Sequence, residues 1–179
     1  MGVSTVIVIG ETLRIRLRRF TTADLDHLLA LHADPEVMRY VDDDAVTPQD
    51  LRDDYLPTYL AYYDLGDAYG FWVGEDRATG AFLGWWHLRP QPGAPPDEPE
   101  LGYRLTRAAW GRGLATEASQ ALVSRAFHQH GVRRVLASAT ETNVASWKVM
   151  EKLGMHRAAT HNGEVHYALE RRDWVPPGP

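Results

Sequence analysis

The residues best suited to bind a charged ligand lie in segment 103–118, where strand-like sequence passes through a glycine-bearing turn into an amphipathic helix. The first N–H groups of a helix have no partner inside the helix, and the positive end of the helix dipole lies behind them. Gly111 and Gly113 have no Cβ, so another molecule can approach this backbone closely. Arg107 and Arg112 add side-chain donors suited to phosphate. The turn is therefore predicted to bind a phosphorylated ligand.

Two other kinds of phosphate-binding loop do not fit the residues around these glycines. A P-loop continues with Gly-Lys-Ser/Thr, and the lysines of this chain, Lys148 and Lys152, lie far from the turn. A dinucleotide-binding fingerprint requires a third glycine and an acidic residue about 20 positions further on, and neither follows Gly113 in that arrangement. Both alternatives are therefore excluded.

Polar residues at two other places are candidates for catalysis. Asn143 and Ser146 lie one turn apart at the start of a predicted helix, where helix capping and simple packing remain open as structural roles. Glu100 begins a strand in which alternation places Glu100, Gly102 and Arg104 on one face. A carboxylate in this position can act as a general base, or it can form a surface salt bridge with Arg104.

The composition indicates one folded domain over residues 1–179. Hydrophobic residues make up 44% of the chain, which is enough for a sizeable core and argues against disorder. The absence of cysteine excludes a disulfide scaffold and a cysteine nucleophile, and it fits a reducing cytoplasm. The net charge of −5 argues against general nucleic-acid binding. No apolar run reaches the length of about 18 residues that spans a bilayer, and the histidines show no metal-ligand spacing, so neither a membrane nor a metal is expected.

The periodicity of apolar residues predicts a mixed α/β fold with the order βααβββαβαββ. Strands are expected in residues 13–20, 69–75, 81–88, 100–106, 135–139, 155–161 and 164–170. Helices are expected in residues 21–33, 47–63, 113–130 and 143–153. The proline-rich residues 90–99 are assigned to a loop inside the domain. Asn162-Gly163 predicts a tight hairpin, and strand 81–88 is expected to be central, with both faces covered.

This order of elements resembles the GNAT superfamily of acyl-CoA-dependent N-acetyltransferases. The likeness is carried by Trp110-Gly-Arg-Gly-Leu-Ala115 at the central helix and by Asn143-Val-Ala-Ser-Trp-Lys-Val-Met-Glu-Lys-Leu-Gly154 after it. Segments 34–40, 100–105 and 166–174 are similar to the RimJ/RimL-type branch. The resemblance spans nearly the whole chain, and it implies a single GNAT domain with a predominantly antiparallel central sheet flanked by helices.

The resemblance also implies how acetyl-CoA, the co-substrate, is held. The phosphate loop of the superfamily is written Arg/Gln-x-x-Gly-x-Gly/Ala, and Gly113 and Ala115 match it while Trp110 stands at the Arg/Gln position. Side-chain contacts from Arg107 or Arg112 are expected in addition. The backbone N–H groups expected to bind the CoA pyrophosphate are those of Gly111, Arg112, Gly113, Leu114, Ala115 and Thr116.

By the same likeness, Asn143 bonds to the pantetheine arm and the N–H of Leu105 polarises the thioester carbonyl. Many members of the superfamily place a tyrosine acid seven residues after this asparagine, where this chain has Met150. Ser146 matches a serine used by some RimL-like enzymes and is therefore the candidate donor to the departing CoA thiolate. Glu100 is the candidate base.

The acceptor is the least constrained part of this interpretation. Glu98 and His166 are alternative bases, and water is an alternative proton donor to the thiolate. The acceptor amine could belong to a protein N-terminus, a free amino acid, a polyamine or an aminoglycoside. Acidic residues between positions 42 and 54 favour a cationic acceptor without selecting one.

We therefore expect a cytoplasmic N-acetyltransferase that transfers the acetyl group of acetyl-CoA to a primary amine by direct attack in a ternary complex. No nucleic-acid or membrane partner is expected, and surface aromatic residues are compatible with a homodimer. The alternative is an acyl-CoA-binding sensor or partner-binding module without turnover. Met150 at the tyrosine position favours that alternative slightly, and Glu100 weighs against it.

Overall fold

The structure, a computed structural model, describes residues 6–41 and 46–176 of the chain. The strands are β1 (Val8–Glu11), β2 (Ile15–Arg19), β3 (Gly70–Asp76), β4 (Phe82–Arg89), β5 (Glu100–Leu105), β6 (Arg134–Thr140), β7 (His156–His161) and β8 (Glu164–Glu170). The helices are α1 (Leu25–His32), α2 (Pro35–Met38), α3 (Pro48–Asp50), α4 (Leu56–Ala61), α5 (Leu114–Gln129) and α6 (Val144–Lys152). The strands form one sheet in the order β1-β2-β3-β4-β5-β6-β8-β7. This confirms the predicted mixed α/β class.

The sheet is antiparallel at every junction except the one between β5 and β6. Short connections explain most of this pattern, because a tight turn returns the chain antiparallel to the strand it leaves. At the predicted hairpin between β7 and β8, Asn162 has a φ of 50° and Gly163 a φ of 80°, the positive values that a type I′ turn needs. The parallel junction arises because α5 intervenes between β5 and β6.

The predicted first strand is wrong in its extent. Residues 13–20 were expected to form one strand, but β2 begins at Ile15, and Leu13 is 85% exposed in a turn. A further strand, β1, precedes it and pairs with β2 as a hairpin, with Val8 opposite Arg18 and Glu11 opposite Arg16. The short apolar run in β1 does not alternate with polar residues, so its own sequence does not predict a strand. Pairing with β2 is what makes this segment a strand.

The two faces of the sheet are covered by different helices. Leu28 of α1, Val37 of α2 and Tyr59 of α4 pack in one cluster with Val73 and Trp85, and we call this side the α1 face. The other side is covered by α5 and α6, and we call it the α5 face. Its cluster contains Trp86 of β4, Leu101 of β5, Leu122 of α5 and Met150 of α6. Consecutive residues Trp85 and Trp86 therefore lie in different cores, which confirms that β4 is covered on both sides.

Side-chain caps position the helices of the α1 face. Thr47 and Asp50 cap α3 reciprocally, with the Thr47 N–H 2.7 Å from an Asp50 carboxylate oxygen and the Asp50 N–H 3.2 Å from the Thr47 hydroxyl. A π-helical turn over Leu51–Tyr55 then leads into α4. Asp50 thus has a structural partner, and residues 42–45 of the acidic segment lie outside the described residues.

Candidate active site

The sheet opens between β5 and β6. Within the described residues these parallel strands pair in register at Glu100 and Leu136, and beyond that pair they diverge. We call the space between residues 101–105 of β5 and residues 137–140 of β6 the gap. Parallel strands otherwise continue to pair along their length. The gap therefore leaves one side of β5 available to another molecule.

Backbone donors of β5 face this gap. Thr106 donates its N–H to the carbonyl of Leu83 on β4 at 2.9 Å. Successive residues of an antiparallel strand direct their N–H groups to opposite sides. The N–H groups of Leu105 and Tyr103 consequently point away from β4, toward the gap. This orientation is the one that the predicted role of Leu105 in polarising a carbonyl requires.

The glycine-bearing turn lies at the end of β5 and begins α5. Gly111 has a φ of 70° and Gly113 a φ of 76°, and Gly113 is the N-cap of α5, a helix of 16 residues. These are left-handed backbone conformations that favour glycine. No side chain caps α5 in the structure, and Gly111, Arg112 and Gly113 are exposed. The N-terminus of a long helix therefore opens to solvent through a turn with no Cβ at either glycine.

The residues that follow the glycines, 114–116, connect the turn to the core of the α5 face. Leu114 is 1% exposed and packs in the cluster of the α5 face. Ala115 and Thr116 are half-buried in the first turn of α5. Burial of Leu114 fixes the orientation of this turn, so the backbone N–H groups of residues 114–116 are held at the exposed helix end.

Trp110 connects this turn to β5. Its indole Nε1 donates a hydrogen bond to the carbonyl of Leu105 at 3.0 Å, although 46% of the side chain is exposed. The residue at the Arg/Gln position of the superfamily motif therefore has a structural task here. It connects the glycine-bearing turn to Leu105, the strand residue whose N–H faces the gap.

The two arginines predicted to assist the turn have protein partners. The guanidinium Nε of Arg107 lies 2.7 Å from Asp34 Oδ2, and Nη2 of Arg112 lies 3.7 Å from Asp76 Oδ2. Arg14, which the sequence did not indicate, donates to the carbonyl of Arg112 at 2.9 Å and pairs with Glu117. Arg14 thus holds the turn in place through its bonds to Arg112 and Glu117. Contacts from Arg107 and Arg112 to a ligand stay predictions.

Asn143 and Ser146 occupy the predicted helix start. The side-chain oxygen of Asn143 accepts from the Ser146 N–H at 3.3 Å, so Asn143 caps α6. Ser146 is half-buried, and its Oγ lies 3.2 Å from the hydroxyl of Tyr103 on β5. Met150, which stands at the tyrosine position, is 3% exposed within the core. A tyrosine hydroxyl therefore reaches this place from the strand instead of from α6.

Tyr103 is a residue that the sequence alone did not identify as functional. Alternation places it with Leu101 and Leu105 on the apolar side of β5, where an aromatic residue is ordinarily a core residue. Burial raises the pKa of the Tyr103 phenol to about 12, while the bond with Ser146 lowers it by less. The phenol is therefore protonated at neutral pH and able to donate.

Glu100 lies at the start of the gap on the α1 face. One of its oxygens accepts from Ser138 Oγ on β6 at 3.0 Å, and the other accepts from the side-chain amide of Gln91. Burial raises the pKa of the Glu100 carboxyl above its ordinary value, although the bond from Ser138 acts in the opposite direction. The salt bridge with Arg104 that the sequence left open is not formed, because Arg104 bonds to His32 at 2.8 Å.

The two alternative bases differ in their surroundings. Glu98 forms ion pairs with Arg133 and Arg134, which occupy its carboxylate. His166 is on β8, where its register partner is Ser138 of β6. Its Nε2 lies 3.8 Å from Glu164 Oε2. Glu100 is the candidate that is both half-buried and bonded across the start of the gap.

His87 on β4 is a second residue that the sequence did not indicate. Its register partner is Gly102, and a Cβ at Gly102 would collide with the imidazole, so this glycine lets the ring lie across β5. Burial, with the charges of Arg89 and Arg104, lowers the pKa of His87 to about 3. His87 is thus a neutral imidazole on the same side of the sheet as Glu100.

Among residues 6–41 and 46–176, His, Asp and Glu side chains do not assemble into a group of three or more that could hold a metal ion. No helix in these ranges combines the length and the apolar character that crossing a bilayer requires.

Comparison with known proteins identifies the family of this chain. Residues 14–156 match the acetyltransferase (GNAT) domain. The FsC-acetyl coenzyme A-N(2)-transacetylase of Aspergillus fumigatus is 28% identical over 186 residues, which covers 92% of this chain and 77% of that protein.

Solved structures show the same fold. A GNAT acetyltransferase from Bacillus anthracis superposes with a TM-score of 0.79 at 21% identity, covering 94% of this chain and 99% of that one. RimL, the ribosomal L7/L12 alpha-N-protein acetyltransferase, superposes with a TM-score of 0.77 at 17% identity, covering 95% and 97%. The likeness to RimL is one of fold and does not establish the RimJ/RimL-type branch. With its glycine turn, open sheet and matching domain, the chain belongs to the GNAT family of acetyltransferases and is an enzyme that uses acetyl-CoA.

Proposed function

We propose that this enzyme transfers the acetyl group directly from acetyl-CoA to a primary amine while both are bound. The observation that carries the proposal is the placement of Glu100 and the Tyr103–Ser146 pair on opposite sides of β5, beside the gap. A base on one side and a proton donor on the other match the two ends of the reaction, the attacking amine and the departing sulfur.

Acetyl-CoA is proposed to enter from the α5 face. Its pyrophosphate binds the N–H groups of residues 111–116 at the start of α5, and its pantetheine arm passes Asn143 into the gap. The thioester carbonyl then accepts a hydrogen bond from the Leu105 N–H, which faces the gap. A donor held in place before the reaction stabilises the negative charge that develops on this oxygen.

The acceptor amine is proposed to approach from the α1 face and to lose its proton toward Glu100. At pH 7 deprotonation costs about 4–5 kcal/mol for a lysine-type amine and about 1 kcal/mol for an α-amine. A carboxylate whose pKa is raised by burial is a better base than an exposed one. The lower cost of deprotonation therefore favours an α-amine, whether of a protein N-terminus or of a small molecule.

The bond changes follow from this placement. The amine nitrogen forms a bond to the acetyl carbon, its proton passes to Glu100, and the carbon–sulfur bond breaks. The CoA thiolate takes a proton from the Ser146 hydroxyl, which takes one in turn from Tyr103. The Tyr103 phenolate then regains a proton from solvent because its pKa is raised, and Glu100 releases to solvent the proton that it accepted, so both groups return to their starting states. The absence of cysteine in the chain argues against an acetyl-cysteine intermediate and supports direct attack.

The proposal is tested by measuring CoA release with a panel of primary amines. Initial rates measured against both substrates should give intersecting lines, and mass spectrometry should detect no acetylated enzyme before an amine is added. Parallel lines with a covalent acetyl-enzyme would contradict direct transfer. Acetyl-CoA binding without CoA release from any amine would support the sensor alternative.

A further inference from the structure

Arg89, at the end of β4, stands beside the proposed acceptor position. It is the register partner of Glu100, and its side chain lies on the same side of the sheet as His87 and Trp85. Directly opposed residues of an antiparallel pair have Cβ atoms about 5 Å apart. Any molecule that places an amine at Glu100 from the α1 face therefore comes close to the guanidinium of Arg89.

The guanidinium of Arg89 has an unsatisfied donor. Its Nε is buried and has no hydrogen-bond partner. Among the half-buried arginines of residues 6–41 and 46–176, Arg89 alone forms neither a hydrogen bond nor an ion pair. Its one contact of note is with the ring of Phe71, whose centroid lies 5.8 Å away. Arg89 is half-buried and its Nε lacks a partner, so its guanidinium is available to bind an anionic ligand.

Glu100 lies near enough for the charge of Arg89 to lower its pKa, but within the described residues the two side chains form no ion pair or hydrogen bond. The oxygens of Glu100 are bonded to Ser138 and Gln91, so Glu100 turns toward β6 and leaves Arg89 unpaired. The next side chain on this face is the neutral His87, whose Nδ1 is also buried without a partner. The guanidinium of Arg104 lies over the ring of Trp85, at 5.3 Å, and bonds to His32.

We infer that Arg89 binds a carboxylate of the acceptor, and that the acceptor is an amine of the amino-acid class. This inference rests on the proposed function and narrows it. The carboxylate accepts from the guanidinium while the amine of the same molecule faces Glu100 and the acetyl group. Arginine presents several N–H donors in one plane, which suits a carboxylate. Polyamines and aminoglycosides lack that anion and would place further positive charge against Arg89.

Pairs of acceptors that differ in the carboxylate alone test the inference. Free amino acids and their C-terminal amides are compared at equal concentration, with CoA release as the readout. The amide has the amine that is easier to deprotonate, because it lacks a neighbouring negative charge. A preference for the free acid by about tenfold or more in kcat/KM would therefore report recognition of the carboxylate.

Variants connect that preference to Arg89. In Arg89→Gln the preference should disappear through a higher KM for the acid, while acetyl-CoA still raises the melting temperature as in the wild type. Arg89→Lys should retain part of it. Arg16→Gln is the matched control, because Arg16 is another half-buried strand arginine but is bonded to Glu11 at 2.8 Å. This control should keep the full preference.

The outcomes separate the inference from the function it rests on. Equal rates with acids and amides would overturn the role of Arg89 and leave the acetyltransferase proposal intact. N-acetylated amino acids, the products, provide a readout that needs no turnover. They should raise the melting temperature of the wild type but not of Arg89→Gln. If they do not stabilise the wild type, the inference is wrong.

Discussion

The two sides of β5 differ in how the chain builds them. On the α5 face the proposed cofactor region is formed by a nearly continuous stretch, residues 105–116, with Ser146 joining from α6. On the α1 face the proposed acceptor region takes Glu100 from β5, Arg89 from β4, Ser138 from β6 and Gln91 from a loop. The first works mainly through backbone N–H groups and the second through side chains.

This difference bears on specificity. A backbone cradle depends on φ and on the absence of Cβ atoms, so its glycines tolerate little change while the cofactor stays the same. A set of side chains from several elements can be exchanged residue by residue without altering the strands that hold them. We therefore expect substitutions on the α5 face to act on every acceptor equally and those on the α1 face to act selectively.

Gly113→Asp should have the largest effect, on the cofactor side. It places a carboxylate at the start of α5 and an L side chain at a φ of 76°, so it repels a diphosphate and strains the backbone. We expect acetyl-CoA affinity to fall by about 100-fold, or about 2.7 kcal/mol. Isothermal titration calorimetry with acetyl-CoA measures this loss.

Gly131→Asp is the control for backbone strain. Gly131 has a φ of 67°, close to the 76° of Gly113, and follows the other end of α5; nothing lies within 4 Å of its Cβ position, and at Gly113 the one neighbour is Arg14 Nη2, in ordinary contact at 3.7 Å. Its substitution should lower stability to a similar degree but leave acetyl-CoA affinity unchanged. Equal loss of affinity in both variants would show that the turn acts only through folding.

Glu100→Gln should have an effect of similar size, on the acceptor side. Loss of a general base lowers kcat/KM by about 100-fold, while acetyl-CoA affinity should be unchanged. Burial raises the pKa of Glu100, so the wild type loses its base as the pH falls through that pKa. The ratio of wild-type to variant rate should therefore be largest at high pH and shrink at low pH, which a pH–rate profile measures.

Glu98→Gln tests which of two nearby carboxylates, Glu98 or Glu100, is the general base. Glu98 is held by Arg133 and Arg134, so its substitution should leave the pH–rate profile unchanged. If Glu98→Gln changed the pH–rate profile and Glu100→Gln did not, Glu98 would be the base and the assignment of Glu100 would be wrong.

Tyr103→Phe and Ser146→Ala should each slow turnover by about tenfold, because each removes one hydroxyl from the path to the thiolate. The acceptor preference should not change, since both residues lie on the α5 face. The double variant should be little slower than either single one, because members of one path are not additive. Steady-state kcat values measure this; losses that multiply would show that the two hydroxyls act separately.

Local sequence was enough to predict several backbone features, including those of the proposed cofactor side. The turn at Gly113, the cap at Asn143 and the hairpin at Asn162-Gly163 are each determined by a few neighbouring residues, and the backbone conformations confirm them. The helix over residues 114–129 follows from its own periodicity. Such features depend on φ, ψ and helix ends, which short segments largely determine.

The features that the sequence did not predict depend on contacts between segments that are distant along the chain. Strand β1 depends on pairing with β2, and the hydroxyl of Tyr103 meets Ser146 across 43 positions. Alternation assigned Tyr103 to the apolar face correctly, but it could not show that α6 begins beside it. The sequence also could not predict that the Arg89 guanidinium lacks an ion-pair partner. Glu100 is its register partner, but the Glu100 carboxylate accepts a hydrogen bond from Ser138 instead. Register is a property of the assembled sheet.

Trp110→Phe should have the smallest effect and tests whether the two sides communicate through β5. It keeps the aromatic ring but removes the hydrogen bond from the indole to the Leu105 carbonyl, which contributes about 1 kcal/mol. We expect a loss of roughly fivefold, shared between acetyl-CoA affinity and kcat, because the bond joins the phosphate turn to the residue that faces the carbonyl.

Trp174→Phe is the control, since the indole nitrogen of Trp174 is buried without a partner and its loss removes no hydrogen bond. Calorimetry and acceptor kinetics on both variants distinguish the outcomes. A fall in affinity and kcat for Trp110→Phe with the acid–amide preference unchanged would mean that Trp110 serves the cofactor side alone. A changed preference would mean that movement of Leu105 reaches the acceptor side through β5, and the two faces would then be coupled instead of independent.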